Sequence, residues 1–227
     1  MTNLSCMRLP APSRLFRRYA AAWLYLACVT VAELAYAALS RHDQAALVRW
    51  ASTSVHNLEH YPVLCLLASA FFPTGSLLAW PVLIALALFG ANHVLGNWRT
   101  VVVCVAANVV GTLVSEGIEA YRVHTGALPA ADRYLVDVGP SYVVVAAIAV
   151  AALYGPWLAR LAALADLALL VFVGHIFAGL GQLDVSPVGH VTALVTGAVL
   201  GGVLTWQRRG PRQSPGPYPR PRPAAPG

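Results

Sequence analysis

The chain has 227 residues, 58% of them hydrophobic and only 11% charged, with a mean hydropathy of +0.65. A soluble domain carries about 25% charged residues, so this balance excludes an ordinary water-soluble globule and points to a polytopic membrane protein. The net charge of +6 is not a nucleic-acid footprint, because the basic residues are all Arg and gather towards the two ends.

Residues 1–18 are polar and basic, with Arg8, Arg14, Arg17 and Arg18. An apolar run follows at about 19–40, long enough for a spanning helix, which needs roughly 20 such residues. Ala35-Tyr36-Ala37 has the small-x-small form of a signal-peptidase site. Residues 41–61 are mixed and read as a non-spanning loop with a short amphipathic helix around 44–58. From Pro62 to Gly90 the chain is apolar again, interrupted by Pro73-Thr74-Gly75. The part before the break, 62–72, is too short to span and reads as an interfacial or re-entrant piece. The part after it predicts a short second span at about 76–91.

The polar turn Asn92 to Arg99 leads to a third span at about 100–121. Glu116, Glu119, Arg122, His124, Asp132 and Arg133 then mark a loop. Three more spans follow, at about 138–154, 157–180 and 186–206. Glu33 and Glu116, near span ends, are expected to be wet. Asp166 lies about 14 residues, or roughly 21 Å, from the far end of span five; an intramembrane carboxylate there calls for a polar partner or water. Residues 207–227 hold seven of the 16 Pro and five Arg, a composition that cannot form a core and predicts a disordered tail beside anionic headgroups. Cys6, Cys28, Cys65 and Cys104 have no metal-ligand or disulfide spacing. No metal or organic cofactor is implied.

Six spans place both termini on one side. With that side cytoplasmic, the inner segments hold eleven Arg and the outer loops Arg41, Arg49, Arg122 and Arg133, as the positive-inside rule requires. Cleavage after Ala37 would leave five spans and an external Arg-rich tail, so retention is expected.

Two polar residues then fall at matching depth. Ser141 lies about four residues past Asp137, at the start of span four. His190 lies about four residues past Ser186, at the start of span six. Each is roughly 6 Å below the outer boundary. Alone, such a serine ordinarily bonds back to its own helix. A hydroxyl and an imidazole together, away from bulk water, are what a nucleophile and its base require.

The motifs Gly139-Pro140-Ser141 and His190 followed by Gly197 and Gly201 make the chain resemble the rhomboid family of intramembrane serine proteases. The resemblance covers about 19–206 and includes Ser69-Ala70-Phe71-Phe72, Leu77-Leu78, Phe89-Gly90-Ala91 and Leu95-Gly96-Asn97-Trp98-Arg99. It implies an all-α bundle of six transmembrane helices in a bacterial inner membrane. It further implies Ser141 as nucleophile, His190 as general base, and a transmembrane-helix substrate cut near the outer face. Gly139, Tyr142 and His175 are expected to line the site. Tyr142 stands where the family has the last Gly of Gly-x-Ser-Gly. The family's span-two His and Asn, four apart, fall here at Ala79 and Leu83. His93 and Asn97 have that spacing, but placing them in span two would force span three through Glu116, Glu119, Arg122, Asp132 and Arg133, so they belong to the inner turn. The alternative is a catalytically inactive relative that binds transmembrane helices as clients. A channel or transporter would predict an internal repeat or paired acids along a path, and neither is visible.

Overall fold

In a computed structural model, the described residues are 12–72 and 79–209. The N-terminal stretch with Arg8 and Cys6, the Pro73-Thr74-Gly75 break with Leu77-Leu78, and the tail beyond Arg209 lie outside them. The described residues form α1 (Pro12–Arg18), α2 (Ala20–Ala37), α3 (Arg41–Ala51), α4 (Val55–His60), α5 (Pro62–Ser69), α6 (Ala79–Leu95), α7 (Asn97–His124), α8 (Ser141–Tyr154), α9 (Trp157–Phe172) and α10 (Val185–Arg209), with two short 3-10 turns at Ala130–Tyr134 and Leu180–Gln182. No strand occurs among them.

Among the described residues, three helices are long and apolar enough to cross a membrane: Ala20–Ala37, Asn97–His124 and Val185–Arg208. Ala79–Leu95 and Ser141–Tyr154 are shorter apolar helices. The outward surface of the bundle is apolar, with Leu24, Val31, Leu34, Val105, Leu158, Leu161 and Val199 exposed. A belt of that size would drive a soluble monomer to associate; on spanning helices it is the face that lipid covers. The chain is an integral membrane protein.

α8 is the central post. Ten consecutive residues, Tyr142 to Ala151, are buried, as expected of a helix that is apolar all round. α7 and α10 pack on it and on each other, α6 and α9 cover the rest, and α2 lies against α6. α10 comes close because its glycines meet α8 directly. A Cβ on Gly197 would stand 2.5 Å from the Ala146 carbonyl oxygen, and one on Gly201 would stand 2.8 Å from Val150 Cγ2. A Cβ on Gly189 would overlap the Tyr142 hydroxyl. This is the small-residue packing that the spacing after His190 predicts.

Several segments differ from the sequence reading. The amphipathic stretch around 44–58 is two helices, broken at Ser52-Thr53-Ser54. Ser54 caps α4 by accepting from the Asn57 amide at 3.4 Å, which draws the chain out of α3 and starts a new helix. α9 stops at Phe172 instead of running to 180. The Gly174 amide turns back to the Leu169 carbonyl at 3.0 Å and the Ile176 amide to Leu170 at 3.2 Å, closing the helix end, and His175 takes a left-handed φ of +50°. Glu116 and Glu119 lie inside α7 rather than in a loop, and both are buried. Glu33 is buried as well rather than wet. Asp166 is 0% exposed, and neither of its oxygens has a hydrogen-bond partner among the described residues; the expected polar partner is not there.

His93 and Asn97 are at the opposite end of α7 from the Glu116 end, as the topology argument required. His93 Nδ1 lies 2.9 Å from the Tyr19 hydroxyl and 3.3 Å from Arg18 Nη2. Asn97 donates to the Arg17 carbonyl at 2.8 Å and accepts from the Ala21 amide at 3.2 Å. Together they pin the break between α1 and α2.

Gly197→Ala should separate α10 from α8, because its new methyl meets backbone that cannot rotate away. The expected loss is about 1–3 kcal/mol, read as a lowered melting temperature of the detergent-solubilised protein. An unchanged melting temperature would show that the two helices tolerate the added spacing.

Candidate functional site

The site is built around the segment that enters α8. Residues 135–138 have no regular structure, the chain bends at Gly139 and turns at Pro140, and three neighbours hold this backbone. The Thr53 amide and hydroxyl both donate to the Asp137 carbonyl, at 2.9 and 3.0 Å. The Asp137 amide donates to Ser52 Oγ at 3.0 Å. The Gly139 amide donates to the Ser69 carbonyl at 3.0 Å. Gly139 has φ +147°, a conformation that other L-residues rarely adopt, so its place in Gly-x-Ser is a backbone requirement. The run Ser52-Thr53-Ser54 and the end of α5 therefore act as a clamp on the approach to Ser141.

Ser141 is the first residue of α8. Pro140 precedes it without an N–H, and the first intrahelical bond is from the Val144 amide to the Pro140 carbonyl at 3.0 Å. The amides of Ser141, Tyr142 and Val143 thus form the open N-terminal turn of the helix. Ser141 lines a pocket with Thr53, Ser69, Asn108, Thr112, Asp137, Gly139 and Tyr142. Its volume, about 10 Å³, is that of one water.

His190 stands on α10 and is 4% exposed. Its Nδ1 lies 2.8 Å from the Ile176 carbonyl oxygen. A carbonyl only accepts, so Nδ1 carries the proton and Nε2 presents a bare lone pair. Nε2 is buried and has no hydrogen-bond partner among the described residues. The imidazole is therefore held in the tautomer that a general base needs, oriented by backbone instead of by an acid.

The structure brings His190 against Tyr142, its ring edge-on at 5.3 Å between centroids. It does not join His190 to Ser141 by a hydrogen bond. Tyr142, immediately after Ser141, occupies the space over the imidazole, and its hydroxyl donates to Asp137 Oδ2 at 2.7 Å. Burial raises the Asp137 carboxyl above its ordinary value, opposed by the Tyr142 hydroxyl. Gly139 and Tyr142 line the Ser141 pocket, and His175 is not among its lining residues. His175 is exposed on the turn after α9, because that helix ends early and swings the residue out; the backbone of the next residue but one to Gly174, Ile176, reaches the site instead.

Other residues near the site carried no site role in the sequence analysis, Glu116 and Glu119 among them, which read there as part of a loop. Asn108, Thr112, Ser115, Glu116 and Glu119 are all buried on α7, at helical spacing that places them on one face. That periodic polar stripe within an apolar span was the available signal. Asn108 donates to the Leu66 carbonyl at 3.0 Å, tying α7 to α5. The Ile176 carbonyl offered no signal, since a backbone acceptor is the same in every residue. No group of three or more His, Cys, Asp or Glu among the described residues is arranged to hold a metal ion.

The helical bundle, its half-buried Ser141, and its buried His190 and α7 carboxylates define an integral membrane protein with a polar site at one end of its helices. A family model described as rhomboid-like protein matches residues 14–206. The chain belongs to that rhomboid-like family. Comparison with curated proteins and with solved structures gave no match.

Tyr142→Phe keeps the ring on His190 and removes the donor to Asp137. A hydrogen bond to a charged group contributes about 1.5–3 kcal/mol. The expected result is a melting temperature lower than wild type, with Asp137→Asn in the same background costing little more. Additive losses from the two substitutions would mean that they do not act through one bond.

Proposed function

We propose that the protein is an intramembrane serine protease of six spans, with both termini cytoplasmic and the Ser141 end of the bundle facing outward in a bacterial inner membrane. Ser141 attacks the scissile carbonyl of a transmembrane segment. His190 Nε2 takes the hydroxyl proton and later delivers it to the leaving amine. The open amides at the start of α8 are the donors nearest the developing oxyanion, since Ala79 and Leu83 offer none. The observation that carries this reading is the His190 tautomer. A buried imidazole with Nδ1–H engaged and Nε2 bare, one residue away from a helix-terminal serine, has the protonation that base catalysis needs.

Completing the pair requires Tyr142 to leave the imidazole and Ser141 to turn towards it when substrate binds; catalytic hydrogen bonds are often long or absent before that. A second reading has its own observation. Tyr142 packs on the imidazole where the serine would have to stand; on this reading the fold holds transmembrane clients without cutting them, with membrane lipids as the other partner.

Labelling of the detergent-solubilised protein by a fluorophosphonate separates the two. The proteolytic reading expects covalent labelling that is abolished in Ser141→Ala and slowed at least about 10²-fold in His190→Ala, the usual scale of lost base catalysis. A folded wild-type protein that does not label rejects the protease and leaves the client-binding reading.

A further inference from the structure

A second pocket adjoins the first. It has a volume of about 290 Å³, and Glu119, Arg122, Asp132, Asp137, Asp184 and Ser186 supply its polar lining. Asp137 belongs to both pockets, one shared with Ser141 and the other with these acids. Four carboxylates thus face one resident cation. That cation is already engaged, because Arg122 Nη1 donates to the Leu183 carbonyl at 3.2 Å and lies 4.0 Å from Glu119 Oε2. Asp132, Asp137 and Asp184 have no ion-pair partner among the described residues.

Glu119 marks this as more than a solvated acidic surface. It is 3% exposed, and its Oε1 has no hydrogen-bond partner among the described residues. Burying a carboxylate oxygen without a donor is costly, and a cationic donor entering the pocket removes that cost. The carboxylates do not converge as metal ligands. They are spread around the pocket wall, an arrangement that suits a long side chain with several N–H donors better than a point ion.

We infer that this pocket is a subsite for a basic side chain, Arg above all, carried by a transmembrane client just beyond its membrane-spanning part on the Ser141 side. The inference rests on the proposed reading that such a segment lies across Ser141. Asp137 links the two pockets, so a chain passing Ser141 is already at the edge of the acidic one. Basic residues are scarce on the outer flanks of membrane proteins. A subsite that rewards one there separates a few clients from the rest, and that difference in affinity is what specificity consists of.

The test uses the full chain with Ser141→Ala, reconstituted in nanodiscs, and a fluorescent transmembrane peptide carrying a single Arg or Gln at successive positions just outside one end of its span. Binding is read by fluorescence anisotropy. The Arg peptide should bind roughly tenfold more tightly than the Gln peptide at one position, about 1.4 kcal/mol. Asp132→Asn with Asp184→Asn should reduce that ratio to near one; both residues lie outside the core, and an unchanged melting temperature confirms folding. Arg122→Gln, which removes the resident cation, should widen the ratio.

Equal binding of the two peptides overturns the subsite. So does a preference that keeps its full size in the double substitution, since the two carboxylates free of other partners would then contribute nothing. These outcomes do not depend on whether Ser141 reacts. Charge preference in a protein that never labels with fluorophosphonate keeps the subsite and removes the protease. Labelling without charge preference removes the subsite and keeps the protease.

Discussion

The close approach of α10 to α8 is the constraint on which the rest of the structure depends. Between helices surrounded by lipid there is little hydrophobic drive to associate, so contact must come from backbones that fit closely. Gly189, Gly197 and Gly201 supply that fit on one helix, and the small and β-branched residues Ala146 and Val150 receive it on the other. The approach presses the His190 end of α10 onto the first turn of α8. The imidazole then finds its two neighbours, the Tyr142 ring and the Ile176 carbonyl.

Around that contact the protein buries more polar groups than its apolar composition suggests. Some are fully accounted for. Ser52, Thr53 and the Ser69 carbonyl satisfy the backbone of 137–139, and Asn108 bridges α7 to α5. Others are left short of partners, including Glu116 and Glu119 near the site and Asp166 deep in α9. Buried polar atoms without partners are costly in any fold and more so away from water. Glu119 lines the pocket that shares Asp137 with the Ser141 pocket, whereas Asp166 lines neither of the two.

Much of the architecture was legible because membrane helices obey few rules. Long apolar runs fixed the class, and the charged residues between them marked the turns. A place for His93 and Asn97 away from the Glu116 end followed from the cost of carrying Glu116, Glu119 and Arg122 through lipid, and in the fold those residues bond to Arg17, Arg18 and Tyr19 at the opposite end. The early end of α9 was less legible. Its apolar run continues into Val173 and beyond, and only the capping amides of Gly174 and Ile176 stop it. The two acids of α7 were misplaced for a related reason: charge suggested a loop, whereas neighbouring helices enclose that turn.

The amino-acid sequence alone determined that this is a helical membrane protein of rhomboid-like family, that glycines after His190 bring its helix close to another, and that Ser141 and His190 enter at the same end. The tertiary structure alone decided which side of α8 faces the histidine. One residue along a helix turns the side chain by about 100°, so Ser141 and Tyr142 cannot both point at His190. A helix that is apolar on every side carries no periodic signal to choose between them. The choice came from packing, with the Tyr142 ring filling the space over the imidazole and its hydroxyl reaching Asp137, while Ser141 turns to the polar face of α7.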